Sequence, residues 1–358
     1  MSKSFQKLMA AWDGLGVFTH HDGPTDAWVF IALHDDTLGM PLGGTRMRSY
    51  PTLEDGLEEA LRLAEGMTRK WAVIDVSFGG GKTVIALTRE LDEEERTGLL
   101  ERYAELLNSL GGLFGTGEDL GTTTGDMVFL SERTKWVFGI DPRTGEVRDP
   151  GPYTALGVMA GIRAAFEHVD GSAELRERSI LIQGVGDVGG PLARFSAEAG
   201  ARVLVCDTDE ARAAAVAREI GGEVVPPDAA CTTPCDVYAP CAIAATLNAD
   251  TIPALPCRIV AGSANTQLGE PEDAERLHAR GILYAPDYVV NAGGAVAFGA
   301  LAEGVSDDLE IRHRVEGLHE ILLEVFEEAR AGEESPVHAA RRRADAVLER
   351  GPRQAVTA

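Results

Sequence analysis

The chain has 358 residues, a formal net charge of -24, 25% charged residues and 44% hydrophobic residues, an ordinary globular makeup with room for two cores. That negative balance argues against binding nucleic acid or an anionic membrane. No apolar run nears membrane-spanning length, and no uninterrupted apolar core precedes Asp13. The five cysteines show no metal-ligand spacing, which fits reduced thiols in a cytoplasmic protein without a metal site.

In chain order, Ala27 to His34 reads as a strand, with Asp35 and Asp36 as its turn. The stretch LGMPLGGTRMRSYP follows, with a Gly-Gly turn expected at Gly43 and Gly44. Thr52 then caps a helix whose Leu53, Leu57, Ala60, Leu61, Ala64 and Met67 share one face, with Lys70 at its end. AVIDV reads as a short strand feeding a loop of three glycines, Gly79 to Gly81, and VIAL beyond Lys82 as another strand. Lys70 and Lys82 lie twelve residues apart. A lysine delivered by a glycine turn suits proton transfer if burial or a neighbouring cation lowers its pKa. On this stretch alone, a surface lysine after a flexible loop is an equal reading. A second helix is expected from about Asp92 to Leu110, closed by Gly111 and Gly112. Asp119 then sits in a polar, glycine-flanked loop, where a turn or cap role is the more ordinary one. The first half ends near Ile140, and DPRTGEVRDPGP makes a natural connection.

Beyond Tyr153, helices and strands alternate, which predicts a parallel α/β sheet. The strand SILIQ leads into Gly184-Val185-Gly186-Asp187-Val188-Gly189 and a helix, and the next strand, ARVLVCD, ends in Asp207, twenty-three residues after Gly184. A GxGxxG that follows a strand, opens a helix and has an acid at the next strand tip is the dinucleotide-binding arrangement. The helix N-terminus favours the pyrophosphate. Asp207 would bond the ribose hydroxyls and repel a 2′-phosphate, so NAD is expected as cofactor. CDVYAPC, RIVAG and ILYAP read as further strands whose ends offer Cys241, Ala242, Asn265, Thr266 and Asn291 to the ligand edge. Cys241 reads as a small packing residue beside the cofactor rather than a nucleophile. A single amphipathic helix is expected from about Asp307 to Ala331, and a terminal helix in HAARRRADAVLERGPRQ. The expected domains are 1–141, completed by 332–358, and 142–331.

The motifs LGGTRM, GMTRK, GGGKTVI, GEDLGTT, the Gly184 fingerprint and YAPDYVVNAGG occur in this order within roughly Leu33 to Phe298. Together they resemble the glutamate/leucine/phenylalanine/valine dehydrogenase superfamily, in its branch acting on apolar amino acids. The resemblance implies an α/β substrate and oligomerisation domain, a Rossmann-type NAD domain and a cleft between them. It implies reversible oxidative deamination of an apolar L-amino acid to its 2-oxo acid, ammonia and NADH. It also implies a homo-oligomer, from dimer to octamer. Lys70 matches the lysine that binds the substrate carboxylate, Lys82 the catalytic acid/base, and Asp119 the aspartate that handles protons at the amine. Gly43 and Gly44 match the turn lining the substrate site, and Met67 is carried over as a further substrate contact. Thr154 matches a cofactor contact.

Lys70 is expected to help depress the pKa of Lys82. Leu42 and Phe298 stand where glutamate-specific members carry a lysine and a serine, so a glutamate side chain would find no partner. Gly117 and Ala295 are small at pocket positions, and Phe138 and Phe298 could supply aromatic walls, which suggests a roomy pocket. Thr266 departs from an asparagine that contacts substrate, and Arg69 and Trp71 depart beside Lys70. The rival readings are a non-catalytic NAD-binding relative acting as sensor or assembly subunit, and a glutamate dehydrogenase.

Overall fold

The computed structural model describes residues 4–242 and 245–352. The chain divides into two compact units, residues 1–149 with 298–306 and 344–358, and residues 150–297 with 307–343. The expected break at 141/142 thus falls at 149/150. The expected return at 332 falls at 344, and 298–306 joins the first unit as well.

The first unit runs α1 (Phe5–Ala11), β1 (Gly16–Asp22), β2 (Ala27–Asp35), β3 (Pro41–Ser49), α2 (Leu53–Val73), β4 (Gly79–Leu87), α3 (Glu93–Ser109), β5 (Gly115–Glu118) and α4 (Thr124–Ser131). Its sheet has the order β1-β2-β4-β3-β5. The β1/β2 and β2/β4 pairs are antiparallel, and β3 runs parallel to both β4 and β5. One sheet face carries Phe30, Ala32, Val84 and Ala86 against Leu57, Ala60, Leu61 and Ala64 of α2. The other carries Val29, Ile31, Met47 and Ile85 against Leu99, Tyr103, Leu107, Met127 and Leu130 of α3 and α4. Of the α2 residues that recur at helical spacing in the sequence, Leu57, Ala60, Leu61 and Ala64 are buried while Leu53 and Met67 are half-buried, and a capping box between Thr52 and Asp55 starts the helix.

Three local expectations are corrected. Gly79 to Gly81 form the start of β4, and Gly43 and Gly44 lie inside β3, so neither glycine group makes a turn. Their small size serves close packing instead. A Cβ on Gly80 would stand 1.8 Å from Thr68 Oγ1 and 2.6 Å from the Ala64 carbonyl, so α2 can lie on β4 only where the side chain is missing. AVIDV is not a strand: Ala72 and Val73 complete α2, and Asp75 turns the chain with φ 55°.

The second unit runs α5 (Pro150–Asp170), β6 (Ser179–Gln183), α6 (Gly189–Glu198), β7 (Arg202–Cys206), α7 (Glu210–Ile220), β8 (Glu223–Val224), β9 (Val237–Pro240), β10 (Ile259–Val260), α8 (Asp273–Ala279), β11 (Leu283–Tyr284), α9 (Asp287–Val290), α10 (Gly293–Ala302), α11 (Asp308–Glu316), α12 (Leu318–Gly332) and α13 (Pro336–Arg350). Residues 298–302 of α10 and 344–350 of α13 belong to the first unit. The sheet is parallel throughout, in the order β11-β10-β9-β6-β7-β8. This is the doubly wound order, with its topological switch between β6 and β9. The helix expected over 307–331 is two helices, because the chain breaks at Gly317, the C-cap of α11. Among the described residues, no helix is long and apolar enough to cross a membrane.

Candidate active site

Three parallel strands of the first unit converge on one buried ionic cluster. Lys82 projects from β4 with its side chain only 7% exposed, and its Nζ lies 3.0 Å from Asp119 Oδ2. Asp119 follows the last residue of β5. Arg46 of β3 donates from Nε to Asp119 Oδ2 at 2.8 Å and from Nη2 to Oδ1 at 3.4 Å. Its Nη1 donates to Glu59 Oε1 on α2 at 2.7 Å, and Tyr50 donates its hydroxyl proton to the other Glu59 oxygen. The approach of β5 depends on Gly44, where a Cβ would lie 2.7 Å from the Glu118 carbonyl and 2.8 Å from Asp119 Cβ. Thr122 latches the loop: its Oγ1 accepts from the Asp119 N–H and donates to the carbonyls of Thr45 and Asp119. On the far side of the sheet, Thr45, Thr83, Thr116 and Tyr103 join their hydroxyls in a buried network that ties β3, β4 and β5 to α3.

Burial is the largest influence on Lys82 and lowers its pKa; the Arg46 charge adds to this, and the pull of Asp119 in the other direction does not cancel it. For Asp119, burial alone would raise the pKa, but the charges of Lys82 and Arg46 outweigh it and hold the carboxyl well below its usual range. The strongest cationic influence on Lys82 is Arg46, a residue the sequence reading did not single out. Lys70 itself lies half-buried in the last turn of α2.

Apolar residues line the same region. Leu42 is buried, and its carbonyl accepts from Trp71 Nε1 at 2.9 Å. Met67 lies beside Gly43, where a Cβ would stand 3.3 Å from its Cγ. Trp71, Phe78 and Phe138 form a chain of ring contacts at 5.2 and 5.5 Å. The departures beside Lys70 thus have structural duties: Trp71 pins β3, and Arg69 pairs with Glu65 at 2.6 Å. Phe298 fills the space that Gly117 and Gly139 leave, where added Cβ atoms would fall 3.1 Å and 2.6 Å from its ring. The small residue at 117 therefore houses a phenylalanine ring rather than open room.

In the second unit each fingerprint glycine has a distinct duty. Gly184 has φ 89° and leaves no room for a Cβ, which would meet Ala242 Cβ at 2.5 Å. A Cβ on Gly189 would lie 1.8 Å from the Gly184 carbonyl, whereas one on Gly186 would meet nothing within 4 Å. Gly186 and Asp187 are exposed, and Val188 precedes α6. Asp207 accepts from the backbone N–H groups of Val185 and Asp209, each at 2.9 Å, and Arg212 lies 3.6 Å away. Burial would raise the Asp207 pKa; those two N–H groups and Arg212 lower it overall.

Thr154 donates to the Pro150 carbonyl at 2.9 Å and abuts Gly294 at the start of α10, which also carries Ala295. Burial pushes the Cys241 thiol up, the wrong direction for a nucleophile. Asn291 is buried and donates from Nδ2 to the Ser263 carbonyl at 3.1 Å and to Asn265 Oδ1 at 2.8 Å. Its own Oδ1 is buried with no hydrogen-bond partner among the described residues. Thr266 stands in the left-handed region with φ 56°.

Sequence reasoning missed Arg46, Glu59 and Tyr50. The available signal was period two along β3: Arg46 falls on the same side as Gly44, and Asp119 is met on that side.

Residues 21–138 match the family model described as Glu/Leu/Phe/Val dehydrogenase, dimerisation domain, and residues 205–344 match that of Glutamate/Leucine/Phenylalanine/Valine dehydrogenase. The chain is 38% identical over 321 residues to leucine dehydrogenase of Bacillus subtilis, covering 90% of this chain and 87% of that protein. It is 38% identical over 324 residues to phenylalanine dehydrogenase of Lysinibacillus sphaericus, covering 89% and 84%. The crystal structure of L-tryptophan dehydrogenase from Nostoc punctiforme superposes with a TM-score of 0.79 at 35% identity, covering 97% of this chain and 99% of that one. The chain therefore belongs to the glutamate/leucine/phenylalanine/valine dehydrogenase family, in the branch that acts on apolar amino acids.

Proposed function

We propose that Lys82 is the acid/base of this amino acid dehydrogenase, with Asp119 relaying protons at the substrate nitrogen and Lys70 holding the substrate carboxylate. The enzyme oxidatively deaminates an apolar L-amino acid to its 2-oxo acid and ammonia, with NAD as cofactor. The observation that carries the assignment of roles is the buried Lys82–Asp119 pair at 3.0 Å, gripped by Arg46. A buried ion pair is expensive to keep for stability alone, and its perturbed groups mark a functional site.

The second unit offers groups that suit NAD. The free space above Gly186 admits a pyrophosphate to the backbone, and Asn291 Oδ1 finds no donor among the described residues, one that a carboxamide N–H would supply. The holding residues would be Thr154, Gly184 to Gly189, Asp207, Cys241, Ala242, Asn265 and Asn291. When bound, NAD supplies the acceptor for the hydride that leaves the substrate Cα.

Asp119 stays a carboxylate at neutral pH and accepts hydrogen bonds from the substrate nitrogen. Lys82, with its lowered pKa, offers a neutral amine that takes a proton from water as that water adds to the imine carbon. The lysine then returns that proton to the nitrogen through Asp119, and as ammonia departs the carbinol hydroxyl gives its own proton to Lys82, forming the carbonyl of the 2-oxo acid. Leu42, Met67, Gly117, Phe138 and Phe298 of the first unit would receive the substrate side chain. In such walls a glutamate carboxylate would stay unpaired, at a desolvation cost well above that of a neutral polar group, which favours an apolar side chain. We also propose a homo-oligomer, on the dimerisation-domain match. A cytoplasmic location is supported by the five free thiols.

The test is NADH formation at alkaline pH with L-leucine, valine, isoleucine, phenylalanine and tryptophan. No absorbance rise with any of them would overturn the reaction. Lys82→Ala with near-normal turnover would overturn the assigned base.

A further inference from the structure

Arg46 stands between the two acids of the ionic cluster and is only 8% exposed. Its Nη1 is anchored on Glu59, whose second oxygen is already taken by Tyr50, so the anchor cannot swing away. Its Nε and Nη2 meet the two oxygens of Asp119 as a fork, a geometry that fixes the plane of a carboxylate as a lysine could not. Asp119 Oδ2 receives both Arg46 Nε and Lys82 Nζ, so two cations share one oxygen.

We propose that Arg46 is a positioning residue for the deamination: anchored on Glu59, it fixes the Asp119 carboxylate in the orientation that meets Lys82 and holds a second positive charge against that lysine. This rests on the roles proposed above for Lys82 and Asp119. The charged and titratable groups around the Lys82 ammonium are Asp119 after β5, Arg46 from β3 and Glu59 from α2, with Tyr50 and Arg62 behind Glu59. Lys70 lies about three turns beyond Glu59 along the same helix.

Arg46 disfavours the charged form of Lys82 and Glu59 favours it. Removing each charge therefore moves the acid limb of the rate profile in opposite directions, which a merely structural role would not do. In Arg46→Gln, Lys82 keeps its proton to higher pH, and the limb of kcat/KM shifts up by about one pH unit. In Glu59→Gln, Arg46 is no longer offset, and the limb shifts down by a few tenths of a unit or more. Arg46→Lys keeps the charge but loses the fork; its limb stays near that of the unsubstituted enzyme while kcat falls about tenfold.

The experiment measures pH profiles of the three variants beside the unsubstituted enzyme, with circular dichroism melts to confirm folding. The substrate's own titration cancels in the comparison. Opposite shifts in Arg46→Gln and Glu59→Gln support the proposal. Limbs that coincide with the parent in both overturn it, as does full kcat in Arg46→Lys. If Arg46→Gln does not fold, Glu59→Gln decides alone, a downward shift supporting and an unmoved limb overturning. Lys82→Ala, run alongside, separates the two claims: retained turnover there overturns the assigned base, whereas an inactive Lys82→Ala with unmoved limbs overturns only the role of Arg46.

Discussion

Phe298 lies against Gly117 so closely that a Cβ on the glycine would stand 3.1 Å from Cε2 of the ring. Gly117 shares its sheet face with Gly44 and Arg46, so the ring sits on the same side as the ionic cluster. If the substrate binds as proposed, the phenylalanine caps the apolar region and limits the side chain that fits. In Phe298→Ala, kcat/KM for phenylalanine and tryptophan should rise relative to leucine by about tenfold or more, the scale that methylene-sized changes in an apolar pocket produce. Steady-state kinetics on the substrate panel check this; an unchanged ratio would remove Phe298 from the specificity wall.

Lys82→Met should separate activity from stability. Turnover should fall by about a hundred- to ten-thousandfold, the usual contribution of acid/base catalysis. The melting temperature at pH 7 should hold or rise, because Asp119 keeps its fork to Arg46 and a costly buried ammonium is gone. The pH dependence has a definite sign. The folded Lys82 has a lowered pKa, so between that value and the unfolded lysine value of about 10.4 the unfolded chain binds more protons. Stability from this group therefore rises with pH across that alkaline window, and Lys82→Met should lose that slope. Asp119 is depressed instead: its contribution is full above the unfolded aspartate value of about 3.9 and is lost as pH falls through the folded one. Thermal melts from acid to alkaline pH should show the alkaline slope gone and the acid slope still present but smaller, because Arg46 alone then holds Asp119 down.

Much of this arrangement is legible in the sequence. The dinucleotide half is the clearest, because strand, glycines, helix and a terminal acid at fixed spacing have one good geometric solution, and the observed strand order is that solution. Lys82 and Asp119 are found by motif, but their contact is not, since it depends on two parallel strand pairings that join β4 to β5 through β3. The glycines mislead. Three in a row suggest a turn when judged by backbone freedom, yet Gly80 and Gly81 make room for α2 and for Phe114. Sequence spacing says nothing about a helix lying on a strand at that distance. Arg46 escapes for a related reason: its two acids come from elements 13 and 73 residues away.

Two glycines of the fingerprint should respond oppositely to alanine. Gly189→Ala places a Cβ 1.8 Å from the Gly184 carbonyl and should lower stability by about 1–3 kcal/mol or more, with loss of fold as the extreme. Gly186→Ala meets only open space, so its melting temperature should stay close to that of the parent. The added methyl would then stand where the pyrophosphate approaches the backbone, and the KM for NAD should rise about tenfold or more. Melts paired with NAD titrations test both arms, and an unchanged KM in Gly186→Ala would move the pyrophosphate elsewhere.

Thr266 carries a branched side chain at φ 56°, a region that suits glycine and asparagine far better. Its carbonyl still accepts from the Ala245 N–H at 2.7 Å, so the backbone shape is held from outside the residue. Thr266→Asn should relieve the strain without altering that shape and raise stability by about 0.5–1 kcal/mol. Asparagine also restores a longer donor and acceptor next to Asn265, which already accepts from Asn291 at 2.8 Å. If Thr266 faces substrate, the same variant should change KM for the amino acid while leaving KM for NAD alone. A melt that gains stability with both KM values unchanged would make Thr266 a strained backbone position and nothing more.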